Sequence, residues 1–248
     1  MNKWLNNIQD VIMPPVCVLC GDHGSQLPTY SEKTRFYNGL DLCVNCRNEL
    51  PLHTTACARC AERLPKPLNN SFYPECLCGH CQTQPPAFER CQAMLSYQTP
   101  ADHLLQGLKF NGRLEMARIL GALMASWLGS IIDNRPDILI PMPLHRDRLR
   151  ERGFNQAVEL ARPIARRLGL QMELHNCVRQ KTTTPQSDLS RKERIKNVKG
   201  AFEVLEPVSG HVVIIDDVMT TGSTAHELAK TLLQAGASNV DVWVCARA

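Results

Sequence analysis

"VVIIDDVMTTGST", residues 212–224, decides how the chain folds. Four β-branched apolar residues follow one another without a break, the pattern of a strand covered on both faces. The run ends on two adjacent carboxylates, Asp216 and Asp217. Consecutive strand side chains point to opposite faces. Both acids are therefore expected at the strand's C-terminal end, where the chain leaves the sheet and where open α/β sheets bind ligands. Thr220, Thr221, Gly222, Ser223 and Thr224 then lead into a helix marked by Ala225, Leu228, Ala229 and Leu232. A helix N-terminus offers unpaired N–H groups and a dipole that favours anions. The hydroxyls add donors, and Gly222 lets the backbone approach closely. Sugar hydroxyls, a divalent cation or arginines would offset the repulsion of the two acids. The ligand so described carries vicinal hydroxyls beside a phosphate, as a ribose 5-phosphate does. The chain has no G-x-x-x-x-G-K-[ST] loop, and adjacent acids do not match the aspartate-nucleophile phosphatase pattern, which spaces them two apart.

Working outward, Leu114, Ala117, Leu120, Met124, Leu128 and Ile131 mark a long helix face. "DILIPMP" (137–143) reads as a second buried strand. Phe154, Ala157, Ala161, Ile164 and Leu168 mark another helix, stopped by Gly169 and interrupted by Pro163, which is expected to kink it. Gly236 is expected to cap the helix after the acidic strand, and Val240, Val242 and Val244 give the last strand. Strand–helix–strand order of this kind implies α/β architecture, a mostly parallel sheet with helices on both faces. The longest uncharged run near the middle, "ILGALMASWLGSII" (119–132), is 14 residues. A membrane span needs about 20, so the expectation is a buried helix in a protein that is not integral to a membrane.

Before residue 90 the chain differs. Ten of its 12 cysteines lie between Cys17 and Cys91. They include four C-x-x-C pairs: Cys17/Cys20, Cys43/Cys46, Cys57/Cys60 and Cys78/Cys81. Two intervening residues let one tight turn aim both sulfurs at a single tetrahedral ion. Two structural zinc sites in sequence order are the simplest assignment. Interleaved pairing, Cys76 in place of Cys78, iron–sulfur clusters and disulfides remain alternatives, the last requiring an oxidising compartment. His23, His53 and His80 read as surface or supporting residues rather than ligands. "MNKWLNNIQDVIMPP" reads as a short amphipathic helix and not as a secretory signal, so a cytoplasmic location is expected. The boundary is placed between a cysteine module at 1–92 and an α/β domain at 93–248.

Charge is also uneven. Between Pro143 and Gly200 there are 14 Lys/Arg against 6 Asp/Glu, an excess of 8 in a chain whose net charge is only +4. Such a local excess suits a polyanion. Arg146, Arg148, Arg150 and Arg152 recur every second residue; they would line one side of an extended loop and spread around a helix. Arg179, Lys181, Arg191, Lys192, Arg194, Lys196 and Lys199 form a second cluster. Single-stranded nucleic acid is the expected client, bound mainly electrostatically because aromatics are scarce. Phe110, Phe154 and Phe202 are the stacking candidates, each better suited to the core.

The 13-residue stretch resembles the fingerprint of type I phosphoribosyltransferases at every position. That resemblance implies that Asp216 and Asp217 face the ribose hydroxyls of phosphoribosyl pyrophosphate (PRPP), with Thr220, Thr221, Gly222, Ser223 and Thr224 around its 5-phosphate. It implies a pyrophosphate loop at Pro143, Leu144, His145 and Arg146, and an accompanying Mg²⁺. With the paired cysteines, "LKFNGR" (108–113), "PMPLHRDRLRERGFNQA" (141–157) and "VRQKTTTPQSDLSRKERIKNVKGAF" (178–202), the chain resembles the ComF family, and its GntX-type members most closely. The family implies natural transformation or use of external DNA, with single strands handled in the cytoplasm alongside DNA-uptake proteins. Lys109 and Arg113 would complete the phosphate site. Two readings follow: a phosphoribosyl-transfer enzyme with an unknown acceptor and no identifiable general base, or a DNA-processing factor whose PRPP pocket regulates it.

Overall fold

The computed structural model describes residues 16–22, 40–65, 76–181 and 197–248. The expected helix in 1–15, His23, Arg191, Lys192, Arg194, Lys196 and the side chain of Phe110 lie outside the described residues. Helices are α1 (Val44–Asn48), α2 (Gly79–Thr83), α3 (Ala101–Asn111), α4 (Leu114–Ile131), α5 (Arg146–Arg152), α6 (Gln156–Leu168) and α7 (Ser223–Gln234). Strands are β1 (Cys91–Ser96), β2 (Ile138–Pro141), β3 (Gln171–Met172), β4 (Cys177–Arg179), β5 (Phe202–Val204), β6 (His211–Met219) and β7 (Asn239–Arg247).

Five strands form one parallel sheet in the order β1-β7-β6-β2-β3. From β2 the chain winds outward to β3; from β6 it winds the opposite way to β7. The switch point therefore lies between β2 and β6, where ligands bind in sheets of this type. Helices cover both faces, as the strand–helix order requires. Val213 and Ile215 of β6 pack with Leu104 and Leu108 of α3, Leu120 of α4 and Leu160 of α6. Val212 and Ile214 pack on the opposite face with Leu228 and Leu232 of α7. β7 is an interior strand, and both its alternating sets are buried: Val240, Val242 and Val244 on one face, Trp243 and Cys245 on the other. β4 and β5 form a separate antiparallel ribbon.

α4 is long and apolar enough to cross a membrane by length and composition. Here it is a core helix, with Met116, Ala117, Leu120, Met124 and Leu128 buried. α6 continues through Pro163. At that level α4 carries Gly121, where an added Cβ would run into Pro163 Cγ and come within 2.9 Å of the Leu160 carbonyl oxygen. The proline side chain thus fills the space that a glycine leaves on the neighbouring helix. Gly169 ends α6 at φ 62°, while α7 ends on Ala235, with Gly236 one residue beyond at φ 110°.

The cysteine module straddles the β1 edge of the sheet, and β1 itself spans the boundary expected at 92/93. Cys17, Leu40, Leu42 and Leu50 join the α3–α4 core on one face, with Arg118 Nη2 2.5 Å from Asp41 Oδ2. Ala61 and Phe88 join the α7 core on the other. Residues 51–53 cross between them as an antiparallel cover on β1: Leu52 pairs with Leu95, the Ser96 N–H donates to Pro51 O and the His53 N–H to Met94 O. An open edge is thereby closed to other chains.

Candidate functional site

The two acids lie where the parallel ladder loses a partner. β2 ends at Pro141, opposite Ile215, and the last bond on that side runs from Met142 N–H to Ile215 O at 2.7 Å. β6 itself continues to Met219 against β7. The expectation that the chain leaves the sheet at the acids is thus corrected: it is β2 that stops, and β6 carries both acids on regular strand geometry. Alternation then separates them. Asp217 shares the face of Val213 and Ile215 and meets α3, where its Oδ2 lies 3.0 Å from Lys109 Nζ. Burial works against the lysine's charge, but the Asp217 carboxylate overcomes this and holds the ammonium above the usual lysine range. Asp216 shares the face of Ile214. Burial, and then the neighbouring Asp217 charge, push its carboxyl up to about 8. Each carboxylate also accepts the next backbone N–H, Asp217 N at 2.9 Å and Val218 N at 2.8 Å. One acid is held by an ion pair and the other titrates well above the usual carboxylate range.

The hydroxyl loop folds as a helix entry. Gly222 is the N-cap of α7 at φ 75° and brings no side chain of its own, while Thr221 Oγ1 accepts the Ser223 N–H at 3.4 Å. Thr221 Oγ1 and Ser223 Oγ lie 2.8 Å apart, Ser223 being buried and Thr220 exposed. A glycine is required at this φ because other residues strain there. The result is a helix N-terminus flanked by hydroxyls, directly after the acids.

Pro143, Leu144 and His145 form the loop after β2, and Arg146 opens α5. His145 caps that helix, its Nδ1 accepting the Asp147 N–H at 3.3 Å. Asn155 ties the far end back: its Nδ2 donates to Met142 O at 3.1 Å while its Oδ1 caps α6 through the Ala157 N–H. Because 146–152 is helical, residues two apart stand about 200° apart around the axis. The arginines fan out rather than lining one side. Arg148 pairs with Glu151 at 3.4 Å and Arg150 with Asp147 at 3.8 Å. Arg152 has a buried Nη1 without a hydrogen-bond partner among the described residues.

Arg179 comes from the β4–β5 ribbon. Its guanidinium lies 5.6 Å from the Phe202 ring centroid, so Phe202 supports a cation rather than a base. Burial lowers the arginine's pKa, the Asp216 charge opposes that shift, and Arg148 adds to it. Asp216 and Arg148 are thus both near enough to act on the Arg179 charge. Lys181 Nζ donates to Lys199 O at 2.8 Å. Phe154 packs at the edge of the α3–α4–α6 core. Lys109 was legible only as part of a motif; its ion pair required the three-dimensional placement of α3. Arg113 pairs with Glu115 at 2.7 Å.

The cysteines form two clusters in sequence order, Cys17/Cys20/Cys43/Cys46 and Cys57/Cys60/Cys78/Cys81, each with its sulfurs within 4.8 Å of one another. Cys76 stands outside the second cluster, and all 12 cysteines are free thiols. The sulfurs of Cys20 and Cys43 are 3.7 Å apart, those of Cys60 and Cys78 3.6 Å. Zinc–sulfur bonds of about 2.3 Å in a tetrahedron put sulfurs roughly 3.8 Å apart. The Cys46 N–H donates to Cys43 Sγ and the Cys78 N–H to Cys57 Sγ, as suits thiolate ligands. The donor sets fit structural zinc, and four sulfurs leave no open position. His53 is a positioning group, bonded to Ser96 Oγ at 3.0 Å and Ala61 O at 2.7 Å. His80 is exposed.

Sequence comparison places relatives over most of the chain. It is 36% identical over 222 residues to the DNA utilization protein YhgH of Salmonella typhimurium, covering 83% of this chain and 96% of that protein. It is 32% identical to Competence protein F of Haemophilus influenzae, covering 84% and 90%, and 24% identical to Competence protein ComFC of Bacillus subtilis, covering 89% and 90%. No protein-family model matches the chain. Among solved structures, a purine phosphoribosyltransferase from Pyrococcus horikoshii overlaps 53% of this chain and 83% of its own at 17% identity and a TM-score of 0.34. That overlap is too loose to carry an argument, and the fold rests on the sheet order above.

Proposed function

The chain belongs to the ComF family of competence and DNA-utilization proteins, and on that premise we propose that it handles incoming single-stranded DNA in the cytoplasm and carries a PRPP site at the β2/β6 switch point. The observation that supports the site most is the juxtaposition of Asp216, beyond the end of β2, with the hydroxyl-flanked N-terminus of α7. A ribose bound there would offer its hydroxyls to Asp216. Its 5-phosphate would take the N–H groups and hydroxyls of 220–224. The loop Pro143–Arg146, with Arg148 and Arg179, would hold the pyrophosphate, where guanidinium groups suit phosphate oxygens. Asp217 supports this from the opposite face, its charge held by Lys109.

Mg²⁺ belongs to this reading as a companion of the pyrophosphate, held mostly by ligand oxygens and water. Among the described residues only the two cysteine clusters gather three or more metal-binding side chains, so the protein's own share in binding that ion would be small. The basic segment supplies the DNA contacts, and DNA-uptake proteins are the expected neighbours. The second reading, phosphoribosyl transfer to an acceptor, uses the same pocket.

Pyrophosphate release from PRPP and Mg²⁺, measured with and without single-stranded DNA, separates the two. Release that disappears in Asp216→Asn supports transfer; saturable PRPP binding without turnover supports a regulatory pocket. DNA affinity should fall with salt, with a log–log slope of about −0.7 per phosphate neutralised. A flat response would remove the electrostatic argument.

A further inference from the structure

A second cavity lies behind the phosphate loop. It has a volume of about 480 Å³ and runs between the second cysteine cluster and the start of α7. Neither Asp216 nor Asp217 lines it, yet Thr221, Gly222 and Ser223 do, so one loop walls both sites. We propose that this cavity binds a nucleobase.

The lining carries two carboxylates, Glu62 and Glu227, and disfavours an anion. No lysine is part of it among the described residues. Its arginine, Arg247, is taken by Glu62, by Cys60 O at 3.2 Å and by Met219 O at 3.2 Å. Phe88, Met219 and Val198 give a closed apolar floor. Glu62, His80, Gln84, Thr221 and Ser223 add polar groups to the wall, and two side chains at the start of α7 are directional. His226 Nδ1 accepts the Ala87 N–H at 3.0 Å. A backbone N–H can only donate, so Nδ1 is the unprotonated nitrogen and Nε2 carries the proton of the neutral ring. Burial lowers the His226 pKa and keeps the ring neutral. Glu227 uses Oε1 to accept the Gly200 N–H at 2.7 Å, leaving its other oxygen as an acceptor. Above the apolar floor the cavity thus offers the His226 N–H as a donor and the Glu227 carboxylate as an acceptor, beside the hydroxyls of Thr221 and Ser223 and the Gln84 amide.

A neutral heterocycle with both a donor and an acceptor on its edge satisfies those demands, and the size lies within the usual range for small-molecule sites. The choice of a nucleobase over other heterocycles rests on the reading of residues 220–224 as a phosphate seat, since a nucleotide unit joins the two chemistries. The base comes either from a single strand or from a free nucleoside.

Calorimetric titration of the full-length zinc-loaded protein decides. The probes are a deoxyoligonucleotide, an abasic strand of equal length and free nucleosides, with PRPP titrated separately. The base-bearing strand should bind about tenfold more tightly than the abasic one. His226→Phe should erase that difference while leaving PRPP and abasic-strand affinity unchanged. Glu227→Gln keeps the acceptor for Gly200 but turns the other oxygen into a donor, so it should change which base is preferred. Nucleoside binding that is lost in His226→Phe, without any strand preference, assigns the pocket to free bases and supports the same chemistry. Equal binding of base-bearing and abasic strands together with no nucleoside binding, or base preference unaffected by both substitutions, overturns the proposal. A wild type that ignores PRPP but keeps its base preference would remove the phosphate-seat reading and leave the pocket.

Discussion

Asp216 and Asp217 are adjacent in sequence but face different environments. Asp217 faces Lys109 across 3.0 Å with its side chain 5% exposed. Lys109→Met would leave that carboxylate buried and unpaired. Unfolding in urea should then show a loss of about 3 kcal/mol, largely recovered by pairing the change with Asp217→Asn. Asp216 has the opposite problem, having no ion pair among the described residues that compensates its burial. Its folded pKa lies above its ordinary value, so its contribution to stability is complete at low pH. That contribution is lost as pH rises from near 4 to about 8. Between pH 5 and pH 8 the wild type should lose more stability than Asp216→Asn. Parallel stability profiles for the two proteins would mean that the carboxyl ionises normally.

At the scale of elements, the strands, the long α4 and the entry to α7 were readable because hydrophobic period and glycine placement report local geometry. The ladder end at Pro141 was not readable, because the strand that stops is 75 residues away in sequence from Asp216. The same holds for Lys109, whose partner is set by how α3 lies on the sheet. The alternating arginines illustrate a different limit: their spacing fitted a loop or a helix, and the Asp147 N–H bonded to His145 shows which one formed. Packing between helices gives a direct test. Gly121→Val on α4 adds bulk against Pro163 and the Leu160 carbonyl. It should cost about 1–3 kcal/mol, and a thermal midpoint equal to wild type would show that the helices separate freely.

Over the whole molecule, the two cysteine clusters act as clamps on either side of β1. The pairing of C-x-x-C motifs was legible from spacing; the choice of Cys78 over Cys76, and the docking of each lobe on a different face, required the fold. Metal analysis should find two zinc ions per chain. Cys57→Ser should lower the count to one and loosen the β7 end, because Arg247 binds Cys60 O and Glu62 of that lobe. Hydrogen exchange at 243–248 reports this directly, and unchanged protection there would mean that the lobe does not brace the sheet.

The central claim concerns the switch point. Calorimetric titration of PRPP with Mg²⁺ into the wild type and Asp216→Asn tests it most directly. A single saturable site, weakened at least about tenfold by the substitution, is the predicted result. No binding to the wild type, or equal binding to both proteins, would contradict it.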